Sequence, residues 1–581
     1  MAQPTQRRES LRSRLTYEPK ELRFGTSGRR GEVAHLTQLE VYINALAELE
    51  YLQLLLPHEG GIGRGDEFYL ACDLRPSSTT YVAKQQGRGE IAQALWRAVE
   101  DARMCPVNLG RIPAPALMNY AIARGCGSIM VTGSHIPFDR NGYKLNTSRG
   151  ELLKRDEAPI DQRVRLIRAM LYDQLFADSL FDEAGLFKTG HRELPPENDA
   201  GRLEYVQRYE NFFQGQSLQG MRLVVYQHSA VGRDLLADIL RSFGAEVIPA
   251  GRSETFVPID TENIDDAQLA KIQALADETA AHGRVDAVVS TDGDSDRPLI
   301  VGVDPKMGQA RFFGGDLLGM VVAEYLCADA AVVPVSCNDA VDRWRLKAIV
   351  EPKTRIGSPF VLAGMEQARA AGKRRVCGWE ANGGFLTASD FERDGKVLKA
   401  LPTRDALLPI LCVLFAAREQ SMALVDLFAR LPKRYSRSAL LREFPRPVSQ
   451  RMVEKHSPGD LRIREAIFGG DGVRLLDANR ESLRDCDGLV PGIEEIRTRL
   501  EDFFPAGLGF GSIVWLDFTD GVRIGFSNGD VAHFRPSGNA DELRIYAVAD
   551  TQERADAIAE IAVAEPEGIL RRMERAEEPS T

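Results

Sequence analysis

The residues best able to do chemistry sit in short loops that follow apolar, β-rich runs. Residues 131–137 read Val-Thr-Gly-Ser-His-Ile-Pro, and the chain continues to Asn141-Gly142-Tyr143-Lys144. Such a loop lies at the C-terminal end of a strand, where α/β domains commonly place reactive groups. Gly133 permits a sharp turn and Pro137 stiffens the exit. A hydroxyl held there, with His135 and Lys144 nearby, would suit Ser134 to carry a phosphoryl group. A helix-capping serine beside a surface histidine is the plainer alternative. A second loop, Asp292-Gly293-Asp294-Ser295-Asp296-Arg297, follows the run 285–290. Three carboxylates at alternate positions of a turn can converge on one hard cation, and magnesium favours oxygen ligands shared with phosphate. A phosphoserine oxygen would complete that set, and Arg297 would offer planar donors to the same phosphate. An EF-hand needs Gly at its sixth position and Glu at its twelfth, where this chain has Arg297 and Val303, so that pattern fails. A solvated acidic turn is the alternative.

Two further loops have the composition of recognition sites. Gly378-Trp379-Glu380-Ala381-Asn382-Gly383-Gly384 follows the run 375–377. Glu380 and Asn382 could hydrogen-bond vicinal sugar hydroxyls, with glycines such as Gly378 allowing close approach; a simple Gly-rich turn is the competing reading. Arg535-Pro536-Ser537-Gly538-Asn539, with Arg544 a few residues on, combines cationic side chains with successive backbone N–H groups. That is an anion nest suited to a phosphate that does not react, or else a turn into the strand 543–548.

The elements that must position these loops form a pattern. Short apolar runs at 67–72, 128–131, 223–226, 287–290 and 331–335 alternate with helical stretches such as 90–104, which suggests α/β domains on mainly parallel sheets. Beyond about 433 the character changes. The runs 512–519 and 522–527 flank Asp520-Gly521, and Asn528-Gly529 follows at once, a strong signal for antiparallel hairpins. An amphipathic helix over 551–564 could cover that sheet. The boundaries expected are a flexible arm at 1–20, then a phosphoserine-loop domain (21–200), a metal-binding domain (201–309), a sugar-recognition domain (310–432) and a C-terminal phosphate-binding domain (433–581). The charged stretch 440–505 shows little pattern and reads as an insertion in the last of these.

Bulk properties narrow the function. A chain of 581 residues is too long for one ordinary core. The net charge of -11 argues against a general nucleic-acid or anionic-membrane partner. Any phosphate must therefore be met by locally clustered Arg and Lys. Cysteines at 72, 105, 126, 327, 337, 377, 412 and 486 form no CxxC pair, which reads as reduced thiols in a cytoplasmic protein. The polar N-terminus lacks the apolar core of a secretory signal. The longest apolar stretch, 407–417, contains Pro409 and is too short to cross a bilayer.

Taken together, these loops resemble those of the α-D-phosphohexomutase superfamily, most closely its bacterial phosphomannomutase and phosphoglucomutase members, from about 22 to 550. Phe24-Gly25-Thr26-Ser27-Gly28-Arg29-Arg30-Gly31 is similar to the FGTSGxRG signature, with Arg30 matching its arginine. Asp73-Leu74-Arg75-Pro76-Ser77 resembles a D-x-R-x-S segment, residues 132–137 the TASHNP loop, and 292–297 the DGDxDR metal loop. The resemblance implies three similar α/β mixed-sheet domains plus a C-terminal α+β domain around a central cleft. It implies one Mg²⁺ per chain on Asp292, Asp294, Asp296 and the Ser134 phosphate. It further implies phosphoryl transfer between hexose 1-phosphate and hexose 6-phosphate through a hexose 1,6-bisphosphate, which also serves as activator. Lys144 and His135 match the acid/base positions, and Arg297 the arginine beside the phosphoserine. Mannose phosphate is favoured over glucose phosphate, in a monomer or dimer. Two loops depart from the pattern: Asn382 and Gly384 stand for Ser and His of GExSGH, and Asn539-Ala540-Asp541 for Thr-Glu-Pro of RxSGTEP. A catalytically silent hexose-phosphate-binding protein, or a metal-dependent sugar phosphatase or bisphosphate synthase, are the alternative readings.

Overall fold

The computed structural model describes residues 9–576 apart from 26, 263, 471, 485–486 and 538–540. The chain forms two compact units, one of residues 1–312 with 384–423, the other of 313–383 with 424–581.

In the first unit, the buried runs Glu67–Cys72 and Gly127–Val131 become adjacent parallel strands, with Cys105–Asn108 on the outer side of the former. Arg140–Thr147 returns antiparallel against Gly127–Val131, and Arg29–Glu32 pairs antiparallel with it in turn. The sheet is therefore mixed, a parallel centre with an antiparallel margin. The helices Gln38–Leu52 and Ile91–Asp101 set Leu39, Ile43, Leu95 and Val99 against Ile129 and Val131, all fully buried. The register Cys72↔Val131 brings Asp73 and Arg75 beside the turn at 132–134, and Met130↔Lys144 returns Lys144 to the same end of the sheet.

A second mixed sheet in this unit runs Glu246–Arg252, Arg222–His228, Ala287–Thr291, Pro298–Val303, Ala310–Phe312. Its first three strands are parallel and its last two antiparallel. Thr291 pairs with Pro298, so residues 292–297 are a hairpin loop closed at both ends by ladder bonds. The apolar stretch near 407–417 is the helix Leu407–Glu419, buried all round through Ala417, with Pro409 in its first turn. No described helix is long and apolar enough to cross a membrane.

In the second unit, Ala330–Val332 and Val376–Trp379 pair in parallel, with helices Gly315–Tyr325 and Ser358–Ala370 beside them. The remaining residues build a seven-stranded antiparallel sheet that includes Ile513–Asp517, Val522–Phe526, Val531–Pro536 and Leu543–Ala549 in sequence. The two hairpins turn at Asp520-Gly521 and Asn528-Gly529, as the dipeptides required.

One expectation is corrected. Of the flexible arm expected at 1–20, residues 1–8 lie outside the described residues, and 9–20 is held down: Leu11 is fully buried, its N–H reaches Gln174 O at 2.9 Å, and Glu9 O accepts from Phe176 N at 2.9 Å. The described residues of the stretch 440–505, expected as an insertion, carry regular structure. They supply the hairpin Glu465–Gly469/Gly472–Leu476 at the sheet edge and the helix Val490–Phe503, whose Ile493, Ile496 and Leu500 face the core.

Candidate functional site

Ser134 and Asp292, 158 residues apart, meet: Ser134 Oγ donates to Asp292 Oδ2 at 2.7 Å. The Ser134 turn is set by its neighbours. Ser134 holds a left-handed φ of 54°, which costs a serine on the order of 1–3 kcal/mol and persists only where its surroundings impose it. Arg75 imposes it. Its NH1 donates to Pro137 O at 2.9 Å and Arg140 O at 3.0 Å, and its NH2 to Ser134 O at 3.0 Å and Ile136 O at 2.5 Å. The guanidinium lies 3.7 Å over the Phe256 ring, with Asp73 Oδ2 3.3 Å from its Nε. Gly293 completes the approach of the two loops, because a Cβ there would lie 2.6 Å from Ser134 O.

The aspartate loop is fully buried. Asp292 Oδ1 accepts from the backbone N–H of Asp296 at 3.1 Å and of Arg297 at 3.2 Å, which folds the loop back on itself. Lys144 Nζ donates to Asp294 Oδ2 at 2.8 Å and to Asp296 Oδ2 at 2.7 Å. Arg404 donates to Asp296 Oδ2 through Nε at 3.1 Å and NH2 at 2.8 Å. Arg297 Nε stands 3.8 Å from Asp292 Oδ2 and 3.6 Å from Asp296 Oδ1. Three carboxylates thus face three cations. Burial and the charges of Asp294 and Asp296 push the Asp292 carboxyl well above the usual carboxylate range. Burial also pushes up on Asp294 and Asp296. Lys144 and then Arg404 outweigh it at Asp294, Arg404, Lys144 and Arg297 at Asp296, and both end below that range.

The donor set fits a hard cation. One oxygen from each aspartate lies within 4.8 Å of the others. Asp294 Oδ1 and Asp296 Oδ1 are buried without a hydrogen-bond partner, a costly arrangement that a divalent ion on those oxygens relieves. The three aspartates can hold a metal ion.

The structure places the other expected residues as follows. His135 Nδ1 is 2.8 Å from Arg297 NH1 and 3.4 Å from Ser134 Oγ. A guanidinium only donates, so Nδ1 is the acceptor in the contact with Arg297. Arg30 NH1 donates to Tyr143 O at 3.2 Å, and burial, partly offset by Asp294, pulls its guanidinium down to about 10. Ser134, His135, Lys144, Arg30, Arg297 and the three aspartates therefore share one neighbourhood of the first unit.

The residues expected to meet sugar hydroxyls and the unreacting phosphate lie in the second unit. Glu380 and Asn382 are buried just after the strand Val376–Trp379, in a turn closed by Gly383 N–H to Glu380 O at 2.9 Å. Gly378 sits inside that strand, where a Cβ would lie 2.6 Å from Val361 Cγ1, so its observed part is close packing of strand on helix. Arg535 and Arg544 are direct cross-strand partners. Like charges so placed repel unless an anion or acid intervenes. Asp520 Oδ2 is 3.6 Å from Arg535 Nε, and Glu542 Oε2 is 3.6 Å from Arg544 NH2. Ser537 is buried beside them, its N–H on Glu542 O at 2.9 Å. Gly538 and Asn539 lie outside the described residues.

Sequence reasoning missed the parts of Arg75 and Arg404. Arg75 was visible only as one position of a motif, and its carbonyl partners lie 59–65 residues away. The available signal for Arg404 was the bare Gly384, whose Cβ would lie 2.7 Å from Arg404 Cγ.

The phosphoglucomutase/phosphomannomutase alpha/beta/alpha domains I, II and III match residues 21–168, 203–305 and 314–435. A phosphomannomutase of Sinorhizobium fredii (strain NBRC 101917 / NGR234) is 35% identical over 534 residues, 92% of this chain and 96% of that one. A phosphomannomutase of Salmonella muenchen is 35% identical over 541 residues, 93% and 94% of the two chains. A solved phosphoglucomutase/phosphomannomutase family protein from Burkholderia thailandensis shares the fold, with a TM-score of 0.61 at 17% identity over 97% of this chain and 99% of that one.

Proposed function

The chain belongs to the phosphoglucomutase/phosphomannomutase family, in the α-D-phosphohexomutase superfamily, and is a phosphohexomutase, an isomerase; we propose that it works through phospho-Ser134 and a hexose 1,6-bisphosphate, on mannose phosphate foremost. The observation that supports this most is the 2.7 Å bond between Ser134 Oγ and Asp292, which sets the hydroxyl against a triad that can hold a metal ion. Phosphomannomutase relatives at 35% identity favour mannose, with glucose phosphate a second substrate.

In the first half-reaction a free hydroxyl of the sugar monophosphate attacks phospho-Ser134. The Ser134 Oγ–P bond breaks as the new O–P bond forms. The attacking hydroxyl gives up one proton and Ser134 Oγ gains one. Lys144, held between Asp294 and Asp296, and His135, beside Ser134 Oγ, are the groups placed to move that proton. The second half returns the other phosphoryl group to Ser134. Arg297 and Arg30 supply fixed positive charge where the phosphoryl oxygens gather it. A magnesium ion on Asp292, Asp294, Asp296 and the Ser134 phosphate would supply the remaining charge neutralisation. Glu380 and Asn382 are assigned to the sugar hydroxyls, and Arg535, Ser537, Gly538, Asn539 and Arg544 to the phosphate that does not react. The bisphosphate acts as activator because it rephosphorylates Ser134 when the intermediate escapes. The protein is assigned to the cytoplasm, as a monomer or dimer.

The test is conversion of mannose 1-phosphate to mannose 6-phosphate, with and without hexose 1,6-bisphosphate. Conversion that the bisphosphate accelerates is expected. Release of inorganic phosphate without isomerisation would replace the reading with a phosphatase, and tight binding without turnover with a silent binding protein.

A further inference from the structure

Asp296 Oδ2 accepts three charged donors, from Lys144 Nζ at 2.7 Å and from Arg404 Nε and NH2 at 3.1 and 2.8 Å. Its other oxygen, Oδ1, is buried without a hydrogen-bond partner. A carboxylate saturated on one oxygen cannot rotate without breaking those bonds, so the direction of Oδ1 is fixed. Two features place the guanidinium. Gly384 directly precedes the ladder pair Phe385↔Asp405, and a Cβ at 384 would lie 2.7 Å from Arg404 Cγ and 3.0 Å from its Cβ. Non-bonded carbons approach no closer than roughly 3.5 Å without strain, so any side chain at 384 would displace the arginine stem. The backbone behind it is pinned as well. Asp405 accepts from Tyr205 Oη at 2.6 Å, from Tyr209 Oη, and from Leu407 N–H at 2.9 Å.

We propose that Arg404 is a positioning residue of the aspartate triad: admitted by Gly384 and anchored through Asp405, it holds Asp296 with Oδ1 presented to a divalent cation. The proposal rests on the reading of the triad as a cation site. Deleting the guanidinium would change two things at once, since it removes hydrogen bonds and also a positive charge that repels the ion. Charge-conserving substitutions separate them. Arg404→Lys keeps the charge but cannot offer two parallel donors to one carboxylate. Gly384→Ala keeps the arginine and shifts it.

Binding of Mn²⁺ to the full chain without sugar phosphate, read by electron paramagnetic resonance, and of Mg²⁺, read by calorimetry, gives a measure independent of turnover. Each variant is expected to bind about tenfold more weakly, the scale on which partners behind metal ligands act. The double variant should be little weaker than either single one, because both act through the same fork. Thermal unfolding checks that each variant is folded, and should Gly384→Ala fail that check, Arg404→Lys decides alone. Asp294→Asn serves as the control on the underlying reading. If it weakens binding while Arg404→Lys and Gly384→Ala bind like the parent, the positioning role is overturned and the cation site stands. If Asp294→Asn also binds like the parent, the cation site itself is overturned and the positioning role with it.

Discussion

Arg75→Lys should disable the enzyme while leaving it folded. The Ser134 loop hangs on one guanidinium that reaches four carbonyl oxygens, those of Ser134, Ile136, Pro137 and Arg140. A lysine ammonium offers three donors from a single nitrogen, so it cannot span carbonyls set around a planar fork, and about two of the four contacts are lost. Two lost charge-assisted bonds at about 1.5–3 kcal/mol each, with about 1 kcal/mol of stacking on Phe256, give an upper bound of roughly 4–7 kcal/mol. Water and relaxation recover part of this, leaving roughly 3 kcal/mol to hold Ser134 in its left-handed conformation. Expressed as loop order, that is about a 100-fold fall in kcat at about 1.4 kcal/mol per factor of ten. KM for the hexose phosphate should move less than about threefold, since uniform binding is untouched. A coupled assay of mannose 6-phosphate formation measures both constants, and circular dichroism with thermal unfolding verifies the fold. A kcat within about threefold of the parent would refute the clamp.

Two other expectations can be checked with standard measurements. Burial holds the His228 imidazole down to about 4, against 6.5 when unfolded, while its Nε2–H donates to Thr291 O at 2.8 Å at the entry to the aspartate loop. Between those values the unfolded chain binds more protons, so stability present above pH 6.5 is lost as pH falls towards 4, by roughly 3 kcal/mol at 1.36 kcal/mol per unit. Urea unfolding across that range reads the slope, which His228→Gln should flatten; an unchanged slope in the variant would assign it to other groups. Arg535→Gln should raise KM about tenfold with kcat nearly unchanged, as loss of a ground-state phosphate contact does, and a fall in kcat alone would remove Arg535 from recognition.

Much of the site was legible because chemistry and fold share one signal. A glycine-bearing polar loop after a mainly apolar run marks the end of a buried strand, and both the Ser134 loop and the aspartate loop carry it. Their convergence across 158 residues rested on resemblance, since no local pattern encodes which strand ends of two separate sheets face each other. The hairpins near 520 and 529 were plain because Asp-Gly and Asn-Gly leave few alternatives. Other features were hidden by physical causes. Arg75 acts on backbone carbonyls, which every residue possesses, so no sequence partner betrays it. Arg404 is announced only by an absent side chain at Gly384. The stretch 440–505 reads as unpatterned because its helix Val490–Phe503 buries only one narrow face, Ile493, Ile496 and Leu500, beneath a charged exterior. The arm at 9–20 packs through single residues such as Leu11, too few to show a period.

Intact-mass spectrometry of freshly purified protein bears most directly on the phosphoserine. One added phosphoryl group that maps to Ser134, lost on incubation with excess hexose monophosphate and absent from Ser134→Ala, is the predicted result. Full turnover by Ser134→Ala, or a phosphoryl group that maps elsewhere and still exchanges with substrate, would contradict it.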